Sequence, residues 1–301
     1  MNAIDTTPGF PQGNTSDGMA NVSDPISGST LNVGMGFTAQ SFSARDIKGL
    51  MDPLVMVDHY VMTQPTFGEH PHAGMSAVSL LLEDSEGLFH NRDSLGHDFD
   101  LRPGDLYWLS AGSGAVHDES PRANARTHGL QVFVNVPQTQ RFAEPSSLLV
   151  RLEEMPVIKT EDYRVKVALG ESNGVRGAAS PSTPMTILVG TLQPGGEFSH
   201  GAVADRGIWT QSIEGGFEVV VADTASQLTD GQAVAAKTNG SASITIRNPS
   251  RTSVQFVLFD GAQINESYVQ QGPFVMGSQE QIEVIKAAYA AGELGSIAGN
   301  H

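Results

Sequence analysis

Two short segments of the 301-residue chain hold residue types that can do chemistry together: His70-Pro71-His72 and His117-Asp118-Glu119. On a β-strand successive side chains alternate faces, so residues i and i+2 point the same way. The first segment, if a strand, therefore aims two imidazoles at one side, and the second aims an imidazole and a carboxylate. If both strands line one barrel with these faces inward, His70, His72, His117 and Glu119 converge. Three imidazoles and one carboxylate suit a divalent transition metal such as Fe(II), Mn(II), Ni(II) or Cu(II). Four protein ligands on a six-coordinate ion leave two positions for water, substrate or dioxygen. Glu69 and Asp118 stand out of phase and are expected to face away. His59, His90, His97 and His128 compete as ligands, each otherwise a loop hydrogen-bonder or a support for a ligand.

Such a site needs short strands, and the chain reads as a series of them. Leu54 to Val57, Ala77 to Leu82, Asp105 to Leu109 and Leu130 to Val136 are rich in aliphatic, β-branched and aromatic residues. Turn signals separate them at residues 93–96, 102–105 and 111–114, the arrangement of a sandwich or barrel. Tyr107 and Trp108 are expected to fill that barrel or line its mouth. The pattern lapses into polar residues from Pro137 to Thr160, which reads as a linker. It resumes in Met185 to Leu192, Ile208 to Ile213, Phe217 to Val221, Ser243 to Ile246 and Val254 to Phe259, with turns at 194–196, 230–231 and 248–249. Two β-rich halves of similar size suggest a duplicated architecture. One helix is expected near the C-terminus: Ser278 and Gln281 form a capping box, Ile282, Ile285 and Tyr289 follow at helical spacing, and Gly292 closes it. The second half has His200 and the terminal His301 but neither His-x-His nor His-x-Glu, so a structural, lid-forming or partner-binding role is expected for it.

Composition narrows the field of functions. Seventeen Lys and Arg against 33 Asp and Glu give a net charge of −16. That balance disfavours wrapping a phosphate backbone or docking on an anionic membrane. No cysteine is present, so disulfides, thiolate metal sites and thiol nucleophiles are excluded together. Residues 1 to about 25 are rich in Gly, Ser, Thr, Asn, Asp and Pro and read as a flexible tail. They show no basic segment followed by an apolar run, and no stretch reaches the length of a membrane span, so the cytoplasm is the expected address.

Several strings in order resemble the pirin family: His70-Pro71-His72-Ala73-Gly74, Arg92-Asp93-Ser94-Leu95-Gly96, Pro103-Gly104-Asp105, residues 111–119, His128-Gly129-Leu130-Gln131, and residues 271–276. The likeness runs over about residues 30–292. It implies an all-β fold of two tandem cupin-type β-barrels, a bicupin, with a C-terminal helix. The implied division is a flexible tail at 1–25, an N-terminal metal-binding cupin at 26–140, a linker at 141–160, and a degenerate C-terminal cupin with the helix at 161–301. The family's ligands fall on His70, His72, His117 and Glu119, the residues already chosen on spacing. The implied cofactor is one divalent transition metal, Fe(II) foremost, with Mn, Ni, Cu or Zn as alternatives. The chain departs at Ala73, where the family often has Arg, and at Gln271, where His is common. Neither is a ligand position, so these departures bear on substrate contacts or partner surfaces.

The resemblance implies a quercetin 2,3-dioxygenase-like activity on a small aromatic substrate and O2, with Glu119 as the catalytic base. The competing expectation is a metal- or redox-responsive regulator that binds protein partners without turnover. Direct DNA contact does not fit the charge. Other metal-dependent cupin chemistry on a small polar substrate is a third expectation.

Overall fold

The computed structural model describes residues 5–6 and 20–297. Its first half is a seven-stranded sheet facing a four-stranded one. The large sheet has the order Ser146–Val150, Leu106–Ser110, Met75–Leu81, Thr127–Asn135, Leu54–Met62, Phe37–Ser43, Ser29–Val33. The small sheet runs His70–His72, Ala115–Pro121, Phe89–Asp93, Asp98–Leu101. The second half repeats the plan with seven and four strands. Every strand expected from the sequence is present, and the chain is a bicupin with one α-helix among the described residues.

Three apolar cores explain why near-continuous hydrophobic runs and alternating ones both become strands. Phe37, Tyr60, Leu81, Phe89, Tyr107 and Leu109 fill the first barrel between its two sheets. Val165, Leu188, Phe198, Ile208, Ile244 and Phe256 fill the second. The two large sheets pack back to back through Val57, Leu80, Trp108, Leu130 and Val132 on one side and Ile187, Trp209, Ala235, Val257 and Phe259 on the other. A strand of a large sheet is thus buried on both faces, which removes the polar alternation of a half-exposed strand. Trp108 lies in this seam and not in the barrel interior that Tyr107 occupies, because adjacent residues must face opposite ways.

The expected boundaries are crossed by backbone pairing. Within the segment read as a linker, Ser146–Val150 adds an edge strand to the first barrel and Val157–Lys159 adds one to the second. The physical reason is local: Leu148, Leu149 and Val150 are enough apolar surface to extend a sheet. Within the segment read as a tail, Ala20–Val22 pairs with Ala233–Thr238 of the second barrel, and Asp5–Thr6 pairs with Val269–Gln271. Residues 1–4 and 7–19 of that segment lie outside the described residues.

The chain's other end returns to the first barrel. Phe274 bridges Ala73, and the Val275 N–H donates to the Ala73 carbonyl at 3.0 Å. The buried Arg141 guanidinium donates to the carbonyls of Gly74 (3.1 Å) and Val275 (2.8 Å), closing the seam. The helix, α1, spans Gln279–Ala290 with Ser278 at its N-cap. The Gln281 side chain accepts from the Gly277 N–H at 2.9 Å, one residue upstream of a true capping box. Ile282 and Ile285 pack on Ala73, Val116, Phe274 and Met276, the outer face of the small sheet. Tyr289 is 39% exposed, so the apolar stripe ends before it. No described helix is long and apolar enough to cross a membrane.

Candidate metal centre

His70–His72 pairs antiparallel with Ala115–Pro121, setting His117 opposite His70 and Ala115 opposite His72. All three rings point into the first barrel, and their Nε2 atoms meet: His72 to His117 at 2.9 Å, His117 to His70 at 3.0 Å. The outer nitrogens fix the tautomers. His70 Nδ1–H donates to the Gly68 carbonyl at 2.8 Å, and His72 Nδ1–H donates to the Pro273 carbonyl at 3.3 Å. Each ring is then left with an Nε2 lone pair turned inward, the second-nitrogen arrangement that orients histidine ligands.

Hydrogen bonding alone does not satisfy this group. A single proton on His117 Nε2 serves one neighbour and leaves the other lone pair facing a nitrogen, while His117 Nδ1 is buried with no partner. With metal–nitrogen bonds of about 2.1 Å, two nitrogens at right angles about an ion sit about 3.0 Å apart, against about 3.4 Å for tetrahedral geometry. The observed separations fit the right-angle case. The donor set therefore fits one divalent transition metal bound by three imidazoles, with further positions left for other ligands. Among the described residues this is the one group of three ligating side chains that could hold an ion.

Glu119 stands beside the group rather than in it. Its carboxyl lines the same cavity, with Oε2 3.9 Å from His117 Nδ1. The Ser79 hydroxyl lies 2.7 Å from Oε1 and 2.9 Å from Oε2. Burial pushes the Glu119 carboxyl up to about 7, against the Ser79 hydrogen bond that lowers it. Burial also drives the His72 imidazole down to about 3, with His70 beside it adding to the effect, and holds His117 and His70 low. All three rings are thus neutral, the form in which imidazole ligates.

The remaining candidates are elsewhere. His90 Nε2 is 2.7 Å from Asp98 Oδ1, and His97 Nδ1 is 3.0 Å from Asp93 Oδ2 in the expected turn. His59 and His128 face out of the barrel, joined through Nε2 atoms 2.7 Å apart, with His128 Nδ1 on Asp84 at 2.8 Å. That chain of bonds is complete without an ion. Asp118 faces away, as expected, and holds Arg92 at 2.7 Å; Glu69 is exposed.

A cavity of about 370 Å³ opens over the three histidines. Phe37, Phe67, Phe89, Phe133, Met56 and Met62 make most of its wall, and the Phe133 ring meets His72 edge-on at 5.2 Å. Asp58, Tyr60 and Gln131 are polar members of the lining that sequence reasoning missed, as it missed Ser79 beneath Glu119. Strand phase separates Asp58 and Tyr60 from His59, but only the pairing shows which phase faces the cavity.

A family model described as Pirin matches residues 34–134, and one described as Pirin C-terminal cupin domain matches residues 187–295. The chain is 32% identical over 246 residues to Pirin of Homo sapiens, covering 81% of this chain and 82% of that one. It is 30% identical over 246 residues to a Pirin-like protein of Solanum lycopersicum, again 81% and 82%. Among solved structures, a quercetin 2,3-dioxygenase from Acinetobacter baumannii superposes with a TM-score of 0.80 at 23% identity, over 93% of this chain and 99% of that one. A bacterial pirin in complex with nickel(II) from Escherichia coli gives 0.57 at 18% identity, over 80% and 98%. At such identities the two structural likenesses bear on the fold.

Proposed function

The chain belongs to the pirin family, and from that premise we propose that it is a metal-dependent dioxygenase cleaving a flavonol such as quercetin with O2. The observation that carries this reading is the cavity: an aromatic-walled chamber whose floor holds three converging imidazole lone pairs and a buried carboxyl. His70, His72 and His117 would hold one divalent metal, Fe(II) foremost and Mn, Ni, Cu or Zn as alternatives, with Glu119 able to swing onto it. Such an ion would supply open coordination positions and, for the redox-active candidates though not for Zn(II), the electron transfer that dioxygen chemistry needs.

The chain's own residues do the rest. The phenylalanine and methionine walls take a flat aromatic ring and exclude water. Glu119, as carboxylate, accepts the proton of the flavonol 3-hydroxyl, leaving the charge on the flavonolate oxygen. The Ser79 hydroxyl donates to Glu119 while it is ionised, and Ser79 Oγ lies 3.0 Å from Gln131 Oε1, so the hydroxyl has a second acceptor once Glu119 is protonated. The two atoms of O2 then end on C2 and C4 of the central ring, the C2–C3 and C3–C4 bonds break, C3 leaves with its oxygen as carbon monoxide, and Glu119 returns its proton to the carboxylate of the ester product.

The test is anaerobic reconstitution with each metal in turn, followed by quercetin and oxygen, recording flavonol absorbance and carbon monoxide. Metal-dependent loss of flavonol is the expected result; no consumption over a range of flavonols refutes the reading. One observation favours a second one, a metal-responsive regulator binding protein partners: the His72–Pro273 bond ties the centre to the segment that leads into α1. A protein that binds metal tightly, consumes no flavonol, and changes proteolytic protection of α1 on loading fits that alternative.

A further inference from the structure

Glu119 rests on residues that belong to the opposite sheet. It stands on the strand Ala115–Pro121 of the small sheet, while Ser79 and Gln131 are paired neighbours on Met75–Leu81 and Thr127–Asn135 of the large one. The Ser79 hydroxyl reaches both carboxyl oxygens, 2.7 Å from Oε1 and 2.9 Å from Oε2. Oε2 then lies 3.9 Å from His117 Nδ1, whereas the nitrogen that meets His70 and His72 is Nε2. In that position the carboxyl is not one of the converging ligand atoms. Glu119 is 7% exposed and Ser79 1%, so the bond between them is sheltered from water.

A hydroxyl has a single proton to give. While Ser79 gives it to the carboxyl, Gln131 Oε1, 3.0 Å from Ser79 Oγ, receives nothing from it. When the carboxyl leaves, that oxygen is already in place to take the proton, and no buried donor is left unmet. The glutamate side chain can turn about its own bonds between rotamers, so its departure needs no movement of the strand. The carboxyl thus has a second home, with a partner ready to close the gap behind it.

We propose that Ser79 and Gln131 form a berth that competes with the metal for Glu119, so that these two positioning residues set the metal affinity and keep the carboxylate a labile ligand. This rests on the metal centre of the reading above and not on the flavonol. The sign separates a berth from a support. Loss of a residue that orients a ligand weakens metal binding about 10–100-fold. A berth stabilises the carboxylate only away from the metal, so its loss tightens binding. A hydrogen bond to an ionised carboxyl is worth more than the bond to Gln131 that replaces it, and the difference corresponds to about tenfold in affinity.

The test is titration of the chain with Co(II) against a competing chelator, since the visible absorption of this ion changes when a carboxylate joins the imidazoles. Ser79→Ala should bind Co(II) about tenfold more tightly than wild type, with the wild-type spectrum. Gln131→Leu should bind it about fivefold more weakly, because the released hydroxyl loses its acceptor, and should have no effect once Ser79 is replaced. Glu119→Ala should weaken binding, alter the spectrum and make Ser79→Ala silent. Wild-type or weaker binding by Ser79→Ala refutes the berth and leaves the three-histidine centre standing, as does a Glu119→Ala protein with wild-type affinity and spectrum. Should Ser79→Ala not fold, Gln131→Leu decides, and wild-type or tighter binding by it overturns the proposal. If wild type binds no Co(II), the metal reading itself fails and the berth falls with it.

Discussion

Replacing Gly74 by alanine tests whether the returning C-terminal segment holds the metal centre in shape. Gly74 has φ +71°, and a Cβ on it would lie 2.1 Å from the Val275 carbonyl oxygen and 2.3 Å from Met276 Sδ. The first obstacle is backbone, so the segment must move by about an ångström to reach ordinary contact. The left-handed conformation itself costs a non-glycine residue about 1–2 kcal/mol. Displacing Val275 further weakens its bond to Ala73 and the bond from Arg141, about 1 kcal/mol and about 1.5–3 kcal/mol when such bonds are made well. The expected loss is about 3–5 kcal/mol, or a fall in Tm of roughly 5–8 °C for a chain of this size. The same displacement draws the Pro273 carbonyl off His72 Nδ1. Loss of a partner that orients a ligand lowers metal affinity by about 10–100-fold. Gly34→Ala is the control, since φ there is +57° and nothing lies within 4 Å of the added carbon. Calorimetric melting and competitive metal titration of both variants give the answer. A Gly74→Ala protein that melts with the control and binds metal as wild type does would refute the argument.

His117→Ala removes the nitrogen common to both short contacts of the centre; elemental analysis after reconstitution should show metal falling from one ion per chain to below about a tenth. His90→Ala, whose ring is taken up by Asp98, should leave the content unchanged, and equal retention in both variants would sink the assignment. A pH prediction attaches to His59, which burial drives down to about 4, with His128 beside it lowering it further and Asp230 and Asp84 raising it. The unfolded chain protonates this ring near 6.5, so between pH 6.5 and 4 it binds a proton that the folded chain refuses. The stabilisation is complete above that window and is lost as pH falls through it, by at most about 1.4 kcal/mol per pH unit. Denaturant melts at several pH values should show a shallower acid slope for His59→Gln; parallel slopes would overturn it.

The centre was legible because its signal is periodic and local. His70 with His72, and His117 with Glu119, each fall at the two-residue repeat of a strand, and the strand pairing then brings three of the four to one point. Glu119 shows where that logic stops, since strand phase turns it inward but a hydroxyl from Ser79, on the facing sheet and 40 residues away in sequence, decides where its oxygens rest. Asp58 and Tyr60 were invisible for a different reason. Their strand is buried on both faces, so burial pattern does not distinguish the phase that lines the cavity from the phase that packs on the second barrel. Trp108 was misplaced by the same ambiguity. The Pro273 carbonyl lies 201 residues from the ring it orients, and no local pattern carries such a contact.

The two barrels share one plan but differ in donors, since three histidines converge in the first and His200 stands alone in the second among the described residues, and they differ also in how each treats its histidine nitrogens. In the second barrel His200 is buried, with Nε2 3.0 Å from Asp260 Oδ2 and Nδ1 3.0 Å from the Ser172 hydroxyl. A neutral ring there donates to the carboxylate and accepts from the serine, so its lone pair is already spoken for. The guanidinium of Arg206 then balances Asp260, occupying the cationic role within the chain itself. In the first barrel the outer partners of His70 and His72 are carbonyl oxygens, which can only accept. They take the proton-bearing nitrogen and leave the lone pair aimed inward. A carbonyl behind the ring makes a ligand, whereas a hydroxyl and a carboxylate on its two sides make a structural residue. Strand order and sheet count are common to both halves; the number of inward histidines, and the partners placed behind them, separate a centre with lone pairs turned inward from a core closed on itself.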